Sequence, residues 1–222
     1  MTPENTALLM VGLDLLMIAY TLWILTRAGV SSRIRLAIGA GLGAWLLALH
    51  ITLSTGALFP ETISGPAFLA VIFAAVGAVG AGLLLPRGLR DLLLGLSQTD
   101  LLIFQGIRVF FGATFLMQAA VGVLPQGFGI IDGYTHIGAG FLGLIAAATH
   151  SAAPEGRWWL WVANLWGLGD ILIVASSLAL VLLPEIGPHH GMMYAVFLPA
   201  PLWLWAHALS LWKLGRGSFL PT

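Results

Sequence analysis

The sequence predicts an all-α fold: a bundle of seven transmembrane helices with the N-terminus outside and the C-terminus cytoplasmic. Three observations lead there. Of 222 residues, 59% are apolar and 8% charged, whereas a soluble domain carries about a quarter charged residues. Seven stretches stay apolar over the roughly 20 residues that a helix needs to cross a hydrocarbon core of about 30 Å. Eight of the nine basic residues sit beside alternate ends of these stretches, the asymmetry that marks cytoplasmic loops. The same composition excludes other classes. With so little charge, a formal net charge of zero and no cysteine, the chain is neither disordered, nor a nucleic-acid binder, nor a disulfide scaffold.

The stretches follow in order. The first, 7 to 26, has no basic residue before it and Arg27 after it, the reverse of a cleavable signal peptide. Arg33 and Arg35 precede the second, 36 to 55, which carries Gly39 and Gly43 at a small-xxx-small spacing and is closed by Gly56 and Pro60. The third, 66 to 85, ends at Pro86, with Arg87 and Arg90 just beyond. The fourth, 101 to 123, is closed by Pro125, and the fifth, 129 to 149, by Pro154; Ala139, Gly143 and Ala147 repeat the small-residue spacing in the fifth. Arg157 and the interfacial Trp158, Trp159 and Trp161 open the sixth, 158 to 183, and Pro184, Gly187 and Pro188 end it. The seventh, 192 to 213, contains Pro199 and Pro201, which should bend it and free backbone carbonyls that need internal partners. It leaves the membrane through Trp212, Lys213 and Arg216. The whole, residues 1 to 222, reads as one integral membrane domain of a bacterial plasma membrane. Its partners are the lipid bilayer and either other membrane proteins or a second copy of itself.

The ninth basic residue does not fit the edge. Arg108 lies about 10 Å inside the fourth stretch at 1.5 Å rise per residue, where an arginine costs roughly 2.5 to 3.5 kcal/mol unless it is paired. Asp170, near the middle of the sixth stretch, matches its depth and is the expected ion-pair partner. A second group, Asp14, His50, Asp132 and His136, lies roughly 5 to 11 Å below the opposite surface. Two imidazoles and two carboxylates suit a divalent metal such as zinc, or a proton relay. In the outer loop, His189 and His190 are placed to respond to pH.

The fifth stretch carries a stripe: Asp132, His136, Gly140, Gly143, Ala147 and His150 lie within about 40° of one direction at 100° per residue. His136 and His150 are 14 residues apart, about 21 Å along the axis. This spacing resembles that of membrane b-type cytochromes, where two histidines of one helix ligate two stacked haems and small residues make room for the rings. The resemblance implies haem b, with His50 opposite His136 and His207 opposite His150 as ligands from other helices.

From Gln105 onward the chain resembles a group of small bacterial polytopic membrane proteins with no established activity. The resemblance rests on Arg108, Gly112, Phe115, Gly122, Leu124, Pro125, Phe128, Gly133, Asn164, Gly167, Asp170, Pro199, Pro201 and His207, over about half the chain; that group has an acidic residue where this sequence has His136. Other seven-helix chemistries fit poorly. Lys213 lies at the cytoplasmic end with no acidic residue on its helix, unlike a retinal lysine. His50 with Ser54 echoes the seven-helix zinc hydrolases, but the last stretch lacks their HxxxH pair. Three functional readings result: a non-enzymatic module, either an assembly partner or a small-solute carrier; a haem- or metal-binding redox protein; and an intramembrane metal-dependent enzyme.

Overall fold

The computed structural model describes residues 3–152 and 157–216; Pro154, expected to close the fifth span, lies outside them. Among the described residues all regular structure is helical, and seven segments are long and apolar enough to cross a membrane. The first three are α1 (Pro3–Arg27), α2 (Ser32–Ser54) and α3 (Gly65–Leu84). After the short α4 (Arg87–Gly95), the fourth span runs through α5 (Gln98–Ile103), a 3₁₀ turn (Phe104–Ile107) and α6 (Arg108–Ala120). The fifth is α7 (Gln126–Ala152). The sixth joins α8 (Arg157–Ser177), a π turn (Leu178–Leu182) and α9 (Leu183–Ile186), and the seventh joins α10 (Met193–Phe197) and α11 (Pro199–Gly215). The fourth and seventh spans are the most buried, and α2 and α3 the least.

Two departures from the sequence reading have plain causes. The segment after Pro86, read as a bare connection, is the helix α4. Its nine residues are too few to span, yet Leu89, Leu92 and Leu93 alternate with Arg87, Arg90 and Asp91 at helical spacing, the pattern of an interfacial helix. The sixth span also runs past Pro184. Proline offers no N–H and its ring crowds the carbonyl four residues earlier; the wider π turn just before it absorbs that conflict. The helix stops instead at Gly187, whose φ of 72° suits glycine.

The seventh span breaks at Leu198 (φ −117°, ψ −67°). Pro201 cannot donate to the carbonyl of Phe197, and in lipid that carbonyl must be satisfied from within the protein. Trp45 of α2 supplies the donor, with its Nε1 3.0 Å from the Phe197 oxygen. The basic ends gather on one edge of the bundle. Arg27 Nε is 3.0 Å from Asp100 Oδ1, and Lys213 Nζ donates to the carbonyls of Leu94 and Leu96.

The most extensive helix seam among the described residues lies between α6 and α7. A Cβ added at Gly112 would stand 2.5 Å from the Gly133 oxygen and 2.9 Å from the Ile137 nitrogen. Gly140 and Gly143 likewise meet Val109 and the Leu102 carbonyl, so the small-residue stripe of α7 is filled by the backbone of the fourth span. Of the glycine pair expected to pack α2, Gly39 faces Leu22 of α1 at 3.2 Å, whereas Gly43 faces open space. Accordingly, Gly112→Val should lower stability by at least about 1–3 kcal/mol, the usual cost of overpacking, while Gly43→Val should change little. Thermal unfolding of the two variants in detergent checks the contrast.

Candidate functional site

Four spans turn polar side chains toward the same interior line. On α7, Asp132 and His136 are one turn apart and share a face. On α8, Asn164, Gly167 and Asp170 come at successive turns, and on α11 His207 and Ser210 lie below Trp203 on one face. Gln98, Gln105 and Arg108 come from α5, the 3₁₀ turn and α6. Every one of these polar residues is buried, with Arg108, Asn164 and His207 at 0% exposure.

The string is continuous. Arg108 Nη2 pairs with Asp170 Oδ2, while its Nη1 donates to the Gly167 carbonyl at 3.2 Å and lies 3.1 Å from His207 Nε2. The guanidinium also sits 5.1 Å from the Trp203 ring centroid, a cation–π contact. His207 Nδ1 lies 3.0 Å from Asn164 Oδ1. Because an amide oxygen only accepts, Nδ1 carries the proton and Nε2 accepts from Arg108. Asn164 Nδ2 donates to Ser210 Oγ at 2.8 Å, Ser210 Oγ donates to Gln98 Oε1 at 2.6 Å, and Gln98 Nε2 returns a bond to the Ser210 carbonyl at 2.9 Å. Gly167 is needed here, since a Cβ would strike the His207 ring and come within 3.1 Å of Arg108 Nη1.

The other end of the string is less satisfied. His136 Nδ1 is 2.8 Å from Asp132 Oδ1 and 3.1 Å from Asp170 Oδ2. One ring nitrogen can give one proton to one carboxylate, not two, and neither Asp132 oxygen has a well-aligned hydrogen bond. Ligand atoms of Asp132, His136 and Asp170 all lie within 4.8 Å of one another, a separation compatible with a shared cation. Beside Asp132 and His136 is a cavity of about 50 Å³, bordered by exposed Phe73 and Leu172 between α3 and α8. A water needs about 10–15 Å³ on this measure, so the cavity is large enough for water at its Asp132–His136 end and too small for a porphyrin; the rest of its lining is apolar.

The expected residues are therefore regrouped. Arg108 and Asp170 lie together, and His136 joins them rather than facing His50. The four-residue metal set separates: Asp132 and His136 meet Asp170, while His50 Nδ1 lies 2.7 Å from the Tyr194 hydroxyl and Asp14, fully buried, has no hydrogen-bond partner among the described residues. The histidines expected as haem ligands have other neighbours here. Phe115 and Trp203 close edge-on over the His136 ring at 5.5 and 5.6 Å, both His207 nitrogens are engaged, and the glycines that would clear space for rings lie against the fourth span. His150 is half-buried toward the basic edge. In the outer loop, burial pushes the His190 imidazole below its usual range, partly offset by a backbone hydrogen bond, and its Nδ1 accepts from the Met192 N–H at 3.2 Å. Burial and the accepted N–H both favour the neutral ring. Sequence reasoning missed Asn164, Ser210, Gln98 and Tyr194 as site residues; Gln98 fell outside the expected fourth span altogether.

A family model described as a domain of unknown function (DUF8737) matches residues 66–215, a range that contains the whole string. No curated protein and no solved structure matches the chain, so no similarity to cytochromes is found.

The Arg108–Asp170 pair should behave as a buried ion pair. Arg108→Ala or Asp170→Asn alone should cost about 3–5 kcal/mol of stability, because each leaves an uncompensated partner. The double variant Arg108→Met with Asp170→Leu should recover most of that loss. A double-mutant cycle on unfolding in detergent measures the coupling.

Proposed function

We propose that this chain, which belongs to the DUF8737 family, is a proton-coupled small-solute carrier whose proton site is Asp132, His136 and Asp170. It is a multi-pass membrane protein; the placement of the basic edge in the cytoplasm of a bacterial inner membrane belongs to the proposal and rests on the charge asymmetry. The observation that carries the reading is the contrast between the two ends of the string. From Arg108 to Gln98 every step is hydrogen-bonded in one consistent direction, which is what fixing a helix arrangement requires. Asp132 and His136 stand outside that run, yet they are buried, ionisable and adjacent to a cavity large enough for water.

Two carboxylates against one guanidinium leave one excess negative charge in a medium that does not solvate it. A single proton placed within the Asp132–His136–Asp170 group neutralises the set. The seventh span, discontinuous at Leu198, borders the same cavity through Ala195, Val196 and Ala200, and is the kind of element that ion-coupled carriers use at a midplane site. A non-enzymatic role fits best, because the group opens on a cavity of water size, too small for a substrate.

A second reading, a divalent cation held by the same three residues, is favoured by the ligand spacing within 4.8 Å. Arg108 argues against it, since its guanidinium already contacts Asp170 and adds positive charge where the metal would sit.

Proteoliposomes loaded with a pH-sensitive dye test the first reading. Under an imposed membrane potential, the wild type should acidify or alkalinise its lumen faster than empty vesicles, with His136→Ala and Asp132→Asn at least about tenfold slower. Flux equal to that of empty vesicles would reduce the group to architecture. Stoichiometric zinc in purified protein, lost in His136→Ala, would support the second reading instead.

A further inference from the structure

Away from the polar string, the half of the bundle nearest the basic edge is not closed. α2 packs on α1 and α10 and has no packed seam with α3. Between them lies a cleft of about 850 Å³ walled by α1, α2, α3 and α11 and floored by α4, with Trp45, Leu83, Leu202 and Trp205 among its lining residues. That is within the roughly 300–1,000 Å³ of a ligand pocket. α4 turns Leu89, Leu92 and Leu93 into it, yet none of its residues is fully buried. The chain alone does not cover the apolar face of α4.

At the basic edge the cleft meets a second chamber of about 700 Å³, with Ile34, Leu92, Leu96 and Asp100 common to both. This chamber is polar. Asp100 accepts from Arg27 Nε at 3.0 Å and from Ser97 Oγ at 2.6 Å. Arg33, which lines the mouth of the apolar cleft, has no acidic partner among the described residues. Two guanidinium groups, Arg27 and Arg33, therefore line the joined chambers against one carboxylate, which already has a partner in Arg27. An apolar slot opening at headgroup depth onto an excess of positive charge matches one shape and one charge distribution.

We infer that the paired chambers between α2, α3 and α4 hold one anionic phospholipid as a resident ligand, with an acyl chain in the apolar cleft and its phosphate at Arg33. The inference stands apart from the proton-site reading, sharing no residue with it. A lipid there completes the contacts of α4 and seals the seam that α2 and α3 leave open.

The test uses the full chain, stripped of lipid in detergent and titrated with dioleoyl phosphatidylglycerol or dioleoyl phosphatidylcholine under native mass spectrometry. The expected result is one phosphatidylglycerol adduct per chain, retained at least about fivefold over phosphatidylcholine. Arg33→Ala should remove the preference. Gly41 and Gly82 line the cleft, and a Cβ at either meets nothing within 4 Å. Gly41→Phe or Gly82→Phe should therefore direct a ring into the cleft and abolish the adduct while leaving the melting temperature of the stripped protein unchanged. Equal retention of the two lipids by wild type, or an undiminished adduct in both glycine variants, would overturn the inference.

Discussion

Lipid cannot solvate charge, and the centre of this structure follows from that one fact. Arg108 is 0% exposed, deep in a helix that nothing else obliges to be polar. Satisfying its donors requires Asp170 and the Gly167 carbonyl from α8 and His207 from α11. Those three contacts fix how the fourth, sixth and seventh spans lie against one another. His207 then needs Asn164, Asn164 needs Ser210, and Ser210 needs Gln98. Each added partner is the consequence of the one before. Buried ion pairs do not reliably add stability over an apolar replacement, but they do select among arrangements, and in a membrane, where apolar faces have little preference for one another, selection is scarce.

The α6–α7 seam serves the same end by different means. Gly112 and Gly133 let two backbones approach until side chains on either flank are held in place, so Asp132 and His136 reach the Arg108 group from a helix that is itself rigidly seated. The site is thus two structures joined at Asp170. One is a chain of hydrogen bonds that runs in a single direction from Arg108 through His207, Asn164 and Ser210 to Gln98. The other is an imidazole facing two carboxylates that it cannot serve at once, beside space for water. Rigidity in the first makes the choice in the second well defined.

Much of this was legible in the sequence. The seven spans, the single basic edge and the depth of Arg108 and Asp170 all follow from counting apolar residues and placing the charges. What did not follow was rotation about each helix axis. Depth alone put Asp14 and His50 beside His136, yet α1 and α2 present them elsewhere, His50 to Tyr194. The glycine stripe of α7 was equally ambiguous: small residues make room, but only the neighbouring backbone shows what takes it. Asn164 stood out only through the resemblance, with no partner to assign to it, Ser210 carried no signal of its own, and Gln98 sits at a helix start that hydropathy placed three residues late. Local chemistry was more dependable where it left no choice, as with the break that Pro199 and Pro201 impose on the seventh span.

That break binds two distant positions into one inherited unit. Proline at 201 orphans a carbonyl, and the indole of Trp45 is what answers it. If an ordinary residue were to replace the proline, the helix could close its own ladder and the indole would become dispensable. If the indole were lost first, the proline would become a liability. Over evolutionary time the two should therefore arrive and depart together, so that related chains lacking the one are expected to have abandoned the other.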